Sequence, residues 1–278
     1  MPAARRRMLQ LRYYRPRRDL APYLGAYYIC DSSDSDMQPI AAEMANVRFI
    51  LRGEMDTIWN ADDATPFCGV QLVGPTMRAY AMRSRGATRM FGAGVKPRGW
   101  ATMPLCDADR LANQMEDLRL ISSQVARQAL DRMQNAKNDR EIVDAADDLF
   151  AAIIDPDARF ARRFPAGLES FLSTNALGDI DSLVDAAGLS RRQLDRVARS
   201  YFGAAPKGIL RKQRALFAAH MLAIDPQTRL ADIAASLFYD QPHFTKEFRT
   251  FVGVTPARFV KGGAGLMAES MRLRSIAT

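Results

Sequence analysis

Two histidines, His220 and His243, and three cysteines, Cys30, Cys68 and Cys106, are the side chains of this 278-residue sequence best suited to metal ligation or nucleophilic chemistry. The stretch FYDQPHFTKEFR at 238–249 sets His243 three residues after Asp240, a pairing that invites a catalytic or metal reading. The rest of the sequence offers it no partners. Iron, copper and zinc sites draw mainly on imidazole, and residues 1–219 contain no histidine. The cysteines lie far apart without a CxxC, which is neither a disulfide framework nor a zinc site. No GxSxG elbow occurs, GAGVKPRG at 92–99 matches no phosphate-binding loop, and DSSDSD at 31–36 lacks the spacing and glycine of a calcium loop. The sequence therefore predicts no catalytic residue, no metal site and no cofactor.

Charge and repetition carry the chemistry instead. Lys and Arg outnumber Asp and Glu by 39 to 31, a net +8 that suits a polyanionic partner. Residues 179–261 hold 13 basic and 8 acidic side chains, a net +5. Within that region a gapless shift of 50 places Leu183 on Ile233, Leu194 on Phe244, Arg196 on Lys246, Arg199 on Arg249, and Gly203-x-x-Pro206 on Gly253-x-x-Pro256. Each copy has the parts of a helix-turn-helix. In the first, Asp181 is placed to cap SLVDAAG, Gly188 supplies the turn, and Ser190 stands at the N-cap of RRQLDRVARSYF. Leu194, Val197 and Tyr201 share an inward seam, leaving Arg192, Asp195, Arg196 and Arg199 outside. In the second, Asp240 reads as the cap, Phe244 and Phe248 as the seam, and His243 and Lys246 as outward groups. An apolar seam with long polar side chains opposite is what a helix needs to lie in a major groove.

The runs AGLSRRQLDRV (187–197) and DIAASLFYDQPHFTKEFRTFVGVTPARF (232–259), with the long helix between them, resemble the AraC/XylS family of bacterial transcription regulators. The resemblance covers about 179 to 261. It implies two helix-turn-helix units, 179–203 and 229–253, entering successive major grooves of double-stranded DNA. It implies base contacts from Arg192, Asp195 and Arg196 in the first unit and from Gln241, His243 and Lys246 in the second. Arg191, at the helix start, is also expected to contact the DNA, while Arg199, Arg249 and Lys212 are expected on backbone phosphates. The family's second unit has a glycine ahead of its aromatic. Here Leu237 runs directly into Phe238, which predicts a shortened turn and a rotated or lifted second helix. Less specifically, YRPRRDLAPYLGAYYI (14–29), LVGPTMR (72–78) and MFGAGVKPRGW (90–100) resemble the β-rich sensor domains of such regulators. That likeness implies a cupin-like domain for a small-molecule effector or for dimerisation, with RNA polymerase as a further partner. DNA-repair alkyltransferases also carry this helix-turn-helix module, so a protein using a cysteine is the enzyme alternative, and a protein-interaction module is the third class.

The elements that must position these residues follow from the pattern. Strands are expected at 26–30, 47–51, 56–60, 69–74, 78–82 and 89–95, separated by turn-forming stretches. After Pro104 the period becomes helical: Leu111, Met115, Leu118, Ile121 and Val125 form one stripe, and Ile142, Val143, Ala146, Leu149, Phe150 and Ile153 another. The fold class is α+β: a β-rich cupin-like barrel or sandwich over 1–104, a helical hairpin over 105–157 as a candidate dimerisation element, and an all-α DNA-binding domain over 158–278. Seven arginines in the first 18 residues read as a solvated arm, no apolar run approaches membrane-spanning length, and a cytoplasmic location is expected.

Overall fold

Alternation along single strands builds the N-terminal half. In the computed structural model, which describes residues 9–60, 63–67, 69–103, 105–118, 123–158, 161, 164–174, 178–263, 267–268 and 270–271, Tyr27 and Ile29 point to one side of a sheet while Tyr28 and Cys30 point to the other. Ten strands are described: β1 Leu9–Tyr14, β2 Leu24–Ser32, β3 Met37–Ile40, β4 Ala45–Arg52, β5 Met55–Asn60, β6 Asp63–Phe67, β7 Val70–Val73, β8 Tyr80–Ser84, β9 Thr88–Val95 and β10 Met115–Asp117. They form a six-stranded sheet in the order β1-β2-β9-β4-β7-β10 and a four-stranded sheet in the order β3-β8-β5-β6, every pairing antiparallel.

The larger sheet is covered on both faces. Tyr28, Cys30, Ile50 and Met90 meet Met55, Phe67, Tyr80 and Met82 of the smaller sheet. On the opposite face, Tyr27, Ile29, Val47, Phe49, Leu72 and Phe91 pack under helices α1 (Pro97–Thr102), α2 (Ser123–Gln134) and α3 (Asp139–Ile153). Coverage of both faces explains why β4 is buried along nearly its whole length instead of alternating. Tyr27 stands edge-on to Phe91 at 5.3 Å and stacks on Phe150 of α3 at 5.9 Å, and its hydroxyl donates to Asp147 Oδ1 at 2.9 Å.

Three expectations change. The hairpin begins at 123, because 108–111 is a 3₁₀ turn and 115–117 is β10, paired Met115 to Val73; Leu111 is buried in that turn and Leu118 just after the strand, while Ile121 lies outside the described residues. Its apolar stripes, Ala126, Ala129, Met133, Ile142, Val143 and Phe150 among them, pack on the chain's own sheet, one of the two partners open to them, the other being a second subunit. The expected arm contains β1, because Arg12 is neutralised by Asp31 and Asp139, each at 2.7 Å; Arg5, Arg6 and Arg7 lie outside the described residues. DATPF, expected as part of a turn, and MQPI, outside the expected strands, are strands at the sheet ends, where Pro39 and Pro66 are tolerated because an outer strand need not donate on both sides.

The C-terminal half contains α4 (Ala166–Thr174), α5 (Ile180–Ala187), α6 (Arg191–Phe202), α7 (Pro206–Ile224), α8 (Leu230–Leu237), α9 (Gln241–Val252) and the short α10 (Pro256–Arg258). It has two separate cores. Leu168, Leu183, Leu194, Ala198 and Ile209 make the first; Ala219, Ile233, Phe244, Phe248 and Val252 make the second. Among the described residues, α7 is the one helix that enters both.

Phe150→Ala should cost about 3–5 kcal/mol by urea denaturation, since it empties a fully buried aromatic site between hairpin and sheet. A loss below about 1 kcal/mol would mean that the hairpin does not close this core.

Candidate nucleic-acid interface

The repeat seen in the sequence is a repeat of element boundaries. α8 begins and ends 50 residues after α5, and α9 begins and ends 50 residues after α6. Both turns are therefore three residues long, and the second recognition helix keeps its phase despite the missing glycine. The two turns reach the same length differently. Gly188 adopts the left-handed conformation (φ +62°), whereas Phe238 is extended (φ −132°) and its ring packs on Phe244 at 4.9 Å.

Each recognition helix is started by a side chain. Ser190 accepts from the Gln193 amide while Gln193 Oε1 accepts from the Ser190 amide at 2.9 Å, a reciprocal capping box. Asp240 Oδ1 accepts from the His243 amide at 2.7 Å. The cap of α5 is Asp179, which accepts from Ser182; Asp181 lies within the first turn and pairs with Arg191 instead. Leu194, Ala198 and Tyr201 hold α6 to its core, and Phe244, Phe248, Phe251 and Val252 hold α9. Glu247, also buried, accepts both Arg211 nitrogens at 2.7 Å, which keeps its carboxyl below the usual range and fastens α9 to α7.

On α6 the open face carries Arg191, Arg192, Arg196 and Arg199 with half-buried Asp195, which pairs with Arg199 at 2.9 Å. On α9 it carries Gln241, Pro242, Lys246 and Arg249. Among the described residues, Arg192, Arg196, Lys246 and Arg249 make no side-chain hydrogen bond or ion pair, so their charges stand ready for an incoming anion. In the 50-residue register Arg192 corresponds to Pro242, Asp195 to Thr245, Arg196 to Lys246 and Arg199 to Arg249. His243 corresponds to Gln193 and behaves as a turn residue: half-buried, with Nδ1 at 3.5 Å from the Tyr239 amide and its ring edge-on to Phe238 at 5.9 Å. Sequence reasoning passed over Thr245, which the repeat itself would have indicated, and Tyr239, which is 92% exposed ahead of α9.

Lys212, expected on a phosphate, turns instead toward the β-domain. Its ammonium is buried between the halves of the chain, donating to the carbonyls of Thr76 at 3.1 Å and Glu43 at 3.2 Å. A central position on α7, opposed by β-domain loops, directs its side chain to those two carbonyls.

A duplicated helix-turn-helix behind a β-sandwich defines the class, a two-part protein with a DNA-binding domain at its C-terminal end. Residues 183–262 match a helix-turn-helix domain family, and residues 12–117 match a domain of unknown function, DUF6597. The chain is 39% identical over 82 residues to the F1 operon positive regulatory protein of Yersinia pestis, a match spanning 29% of this chain and 27% of that protein. Among solved structures it is similar to ToxT of Vibrio cholerae, with 10% identity over 86% of this chain and 98% of ToxT at a TM-score of 0.47. An AraC-type regulator from Chromobacterium violaceum shares 23% identity over 38% of this chain and 96% of its own, at a TM-score of 0.34. Residues 183–262 thus belong to that helix-turn-helix domain family, and the chain spans about a quarter of the length of the curated relative it matches. Among the described residues no helix is long and apolar enough to cross a membrane, and no three His, Cys, Asp or Glu side chains gather as for a metal.

Burial pulls the Lys212 pKa down to about 8 from an ordinary 10.5, and a neutral amine still has N–H groups for both carbonyls. Between those values the unfolded chain binds the proton more tightly, so the folded state gains stability as pH rises through the window. Relative to Lys212→Met, the wild type should gain about 2–3 kcal/mol from pH 8 to 10.5 in paired denaturation curves. A constant difference between the two proteins would show an ammonium that is still in contact with water.

Proposed function

We propose that the chain is a DNA-binding transcription regulator that acts by binding and not by catalysis. The observation that carries this reading is the pair of recognition helices in identical register, each presenting unpaired cationic side chains. Docking starts with Arg199, Arg249 and Arg191 on phosphates and is followed by base-edge contacts from Arg192, Asp195 and Arg196 on one helix. Lys246 and Gln241 serve on the other, with His243 beside the turn. Asp195 can accept from a cytosine amino group and Arg196 can hold guanine bidentately, so α6 has the stronger base-reading set.

The β-domain is proposed to take a small, mostly apolar effector. Support comes from a cavity of about 260 Å³ beside Tyr28, Cys30, Arg48, Met82 and Met90, closed on the other side by Leu216 and His220 of α7. Activation through RNA polymerase, a cytoplasmic location and a homodimer belong to the same proposal. The dimer would use outward faces, since the apolar stripes of the hairpin are occupied.

Selecting DNA from a random pool with the purified chain should enrich two short elements about 10 base pairs apart. No enrichment by folded protein would reject the DNA reading. On the selected site, Arg196→Ala should cost about 1–3 kcal/mol and relax preference at one or two base pairs. An equal loss on scrambled DNA would reduce Arg196 to a phosphate contact.

A further inference from the structure

We infer that two loops of the β-domain act as a strut that fixes the separation of the two recognition helices, so that this domain sets the half-site spacing the protein accepts. The inference rests on the DNA reading proposed above and specifies how that reading is constrained.

Among the described residues the two helix-turn-helix cores share no member, and α7 is the one helix that enters both. Its midpoint packs on the β-domain: Ala215 forms a small cluster with Phe251 of α9, Ala42 and Met77. Loop 74–79 reaches both units. Pro75 closes against Gly203 at the end of α6, where an added Cβ would fall 2.5 Å from Pro75 Cγ. Ala79 closes against Gly253 at the end of α9, with a corresponding distance of 3.0 Å. The GxxP glycines that punctuate the sequence repeat are thus the two landing points of one loop.

Hydrogen bonds hold the same joint. The Ala79 amide donates to the Thr250 carbonyl at 2.8 Å, and the Ala42 amide to the Phe251 carbonyl at 2.7 Å. Carbonyls of the last turn of a helix lack intrahelical partners, so the β-domain completes the end of α9. The two loops are locked together, Glu43 N to Thr76 Oγ1 at 2.8 Å and Thr76 N to Glu43 O at 3.0 Å, and Lys212 donates to both carbonyls. On the β-domain side Asn113, in the left-handed region at φ +57°, accepts from the Met77 amide at 2.8 Å. A non-glycine residue held there is a strained position, kept only where its surroundings insist on it. Residues 39–43 also wall the β-domain cavity, so an occupant there touches the strut directly.

Each base pair inserted between two elements rotates one against the other by about 35°. A rigidly held pair of helices should therefore lose about tenfold in affinity for each of the first insertions into the selected site. The full chain is compared with Lys212→Met and with Met77→Ala on the selected DNA and on versions carrying one to three added base pairs. Folding is checked by circular dichroism. The expected result is a clearly smaller insertion penalty in both variants, with near wild-type ranking of sequences at the uninserted spacing. An unchanged penalty in folded variants overturns the strut while leaving the DNA reading intact. Hydrogen exchange supplies a readout without DNA: the Ala42 and Ala79 amides should be protected in the wild type and exchange faster in Lys212→Met. If they exchange freely in the wild type the strut is wrong, whereas an empty DNA selection with protected amides counts only against the DNA reading.

Discussion

An ammonium removed from water must find close acceptors or lose its charge, and the meeting of Lys212 with two backbone carbonyls is the interaction around which both halves of this protein are arranged. Those carbonyls are useful acceptors only because their loops are already rigid. Thr76 is completely buried, and its exchange of hydrogen bonds with Glu43 fixes both peptide planes. The Glu43 carboxylate is occupied elsewhere, by Arg48 at 2.6 Å and by Tyr80. Arg48, only 3% exposed, also donates to the hydroxyls of Tyr28 and Tyr80. A polar chain thus runs from the space between the sheets to the middle of α7, with each buried donor and acceptor along it supplied with a partner.

The layered core explains why that chain can exist inside an apolar sandwich. Alternation along β4 sends Val47, Phe49 and Leu51 toward the helices and Arg48 and Ile50 toward the smaller sheet. One strand therefore contributes to a dry core on one side and to a hydrogen-bonded cavity wall on the other. The hairpin closes the dry side so fully that the cavity side is left to face the DNA-binding domain. In the C-terminal half the division is repeated in helical form: the apolar seam of each recognition helix is spent inward, and only long polar side chains remain for a partner.

Much of this was legible in the sequence where one physical rule dominated. Six strands with strong β-formers, the second hairpin helix and the 50-residue repeat all followed from periodicity and turn residues. The open cationic face of α6 followed from the same spacing. What was missed depended on contacts between distant segments. β1 looked like a basic arm because its arginines are neutralised by Asp31 and Asp139, far along the chain. β10 looked helical because Leu111, Met115 and Leu118 happen to fall on a helical stripe, although the first lies in a turn, the second in the strand and the third just after it. Lys212 was misplaced because amphipathicity cannot distinguish a helix face covered by a second domain from one open to solvent.

The two turns of the duplicated unit respond to different constraints. At Gly188 the limit is torsional, since a left-handed backbone excludes most side chains whatever the space around them. At Phe238 the backbone is ordinary and the limit is volumetric, set by the ring that fills the gap beside Phe244 and His243. Both copies share one register, yet the first turn restricts its residue by torsion and the second by volume. Tyr239 meets neither limit: 92% exposed between Phe238 and α9, its side chain is shaped by nothing inside the domain and answers only to what approaches from outside.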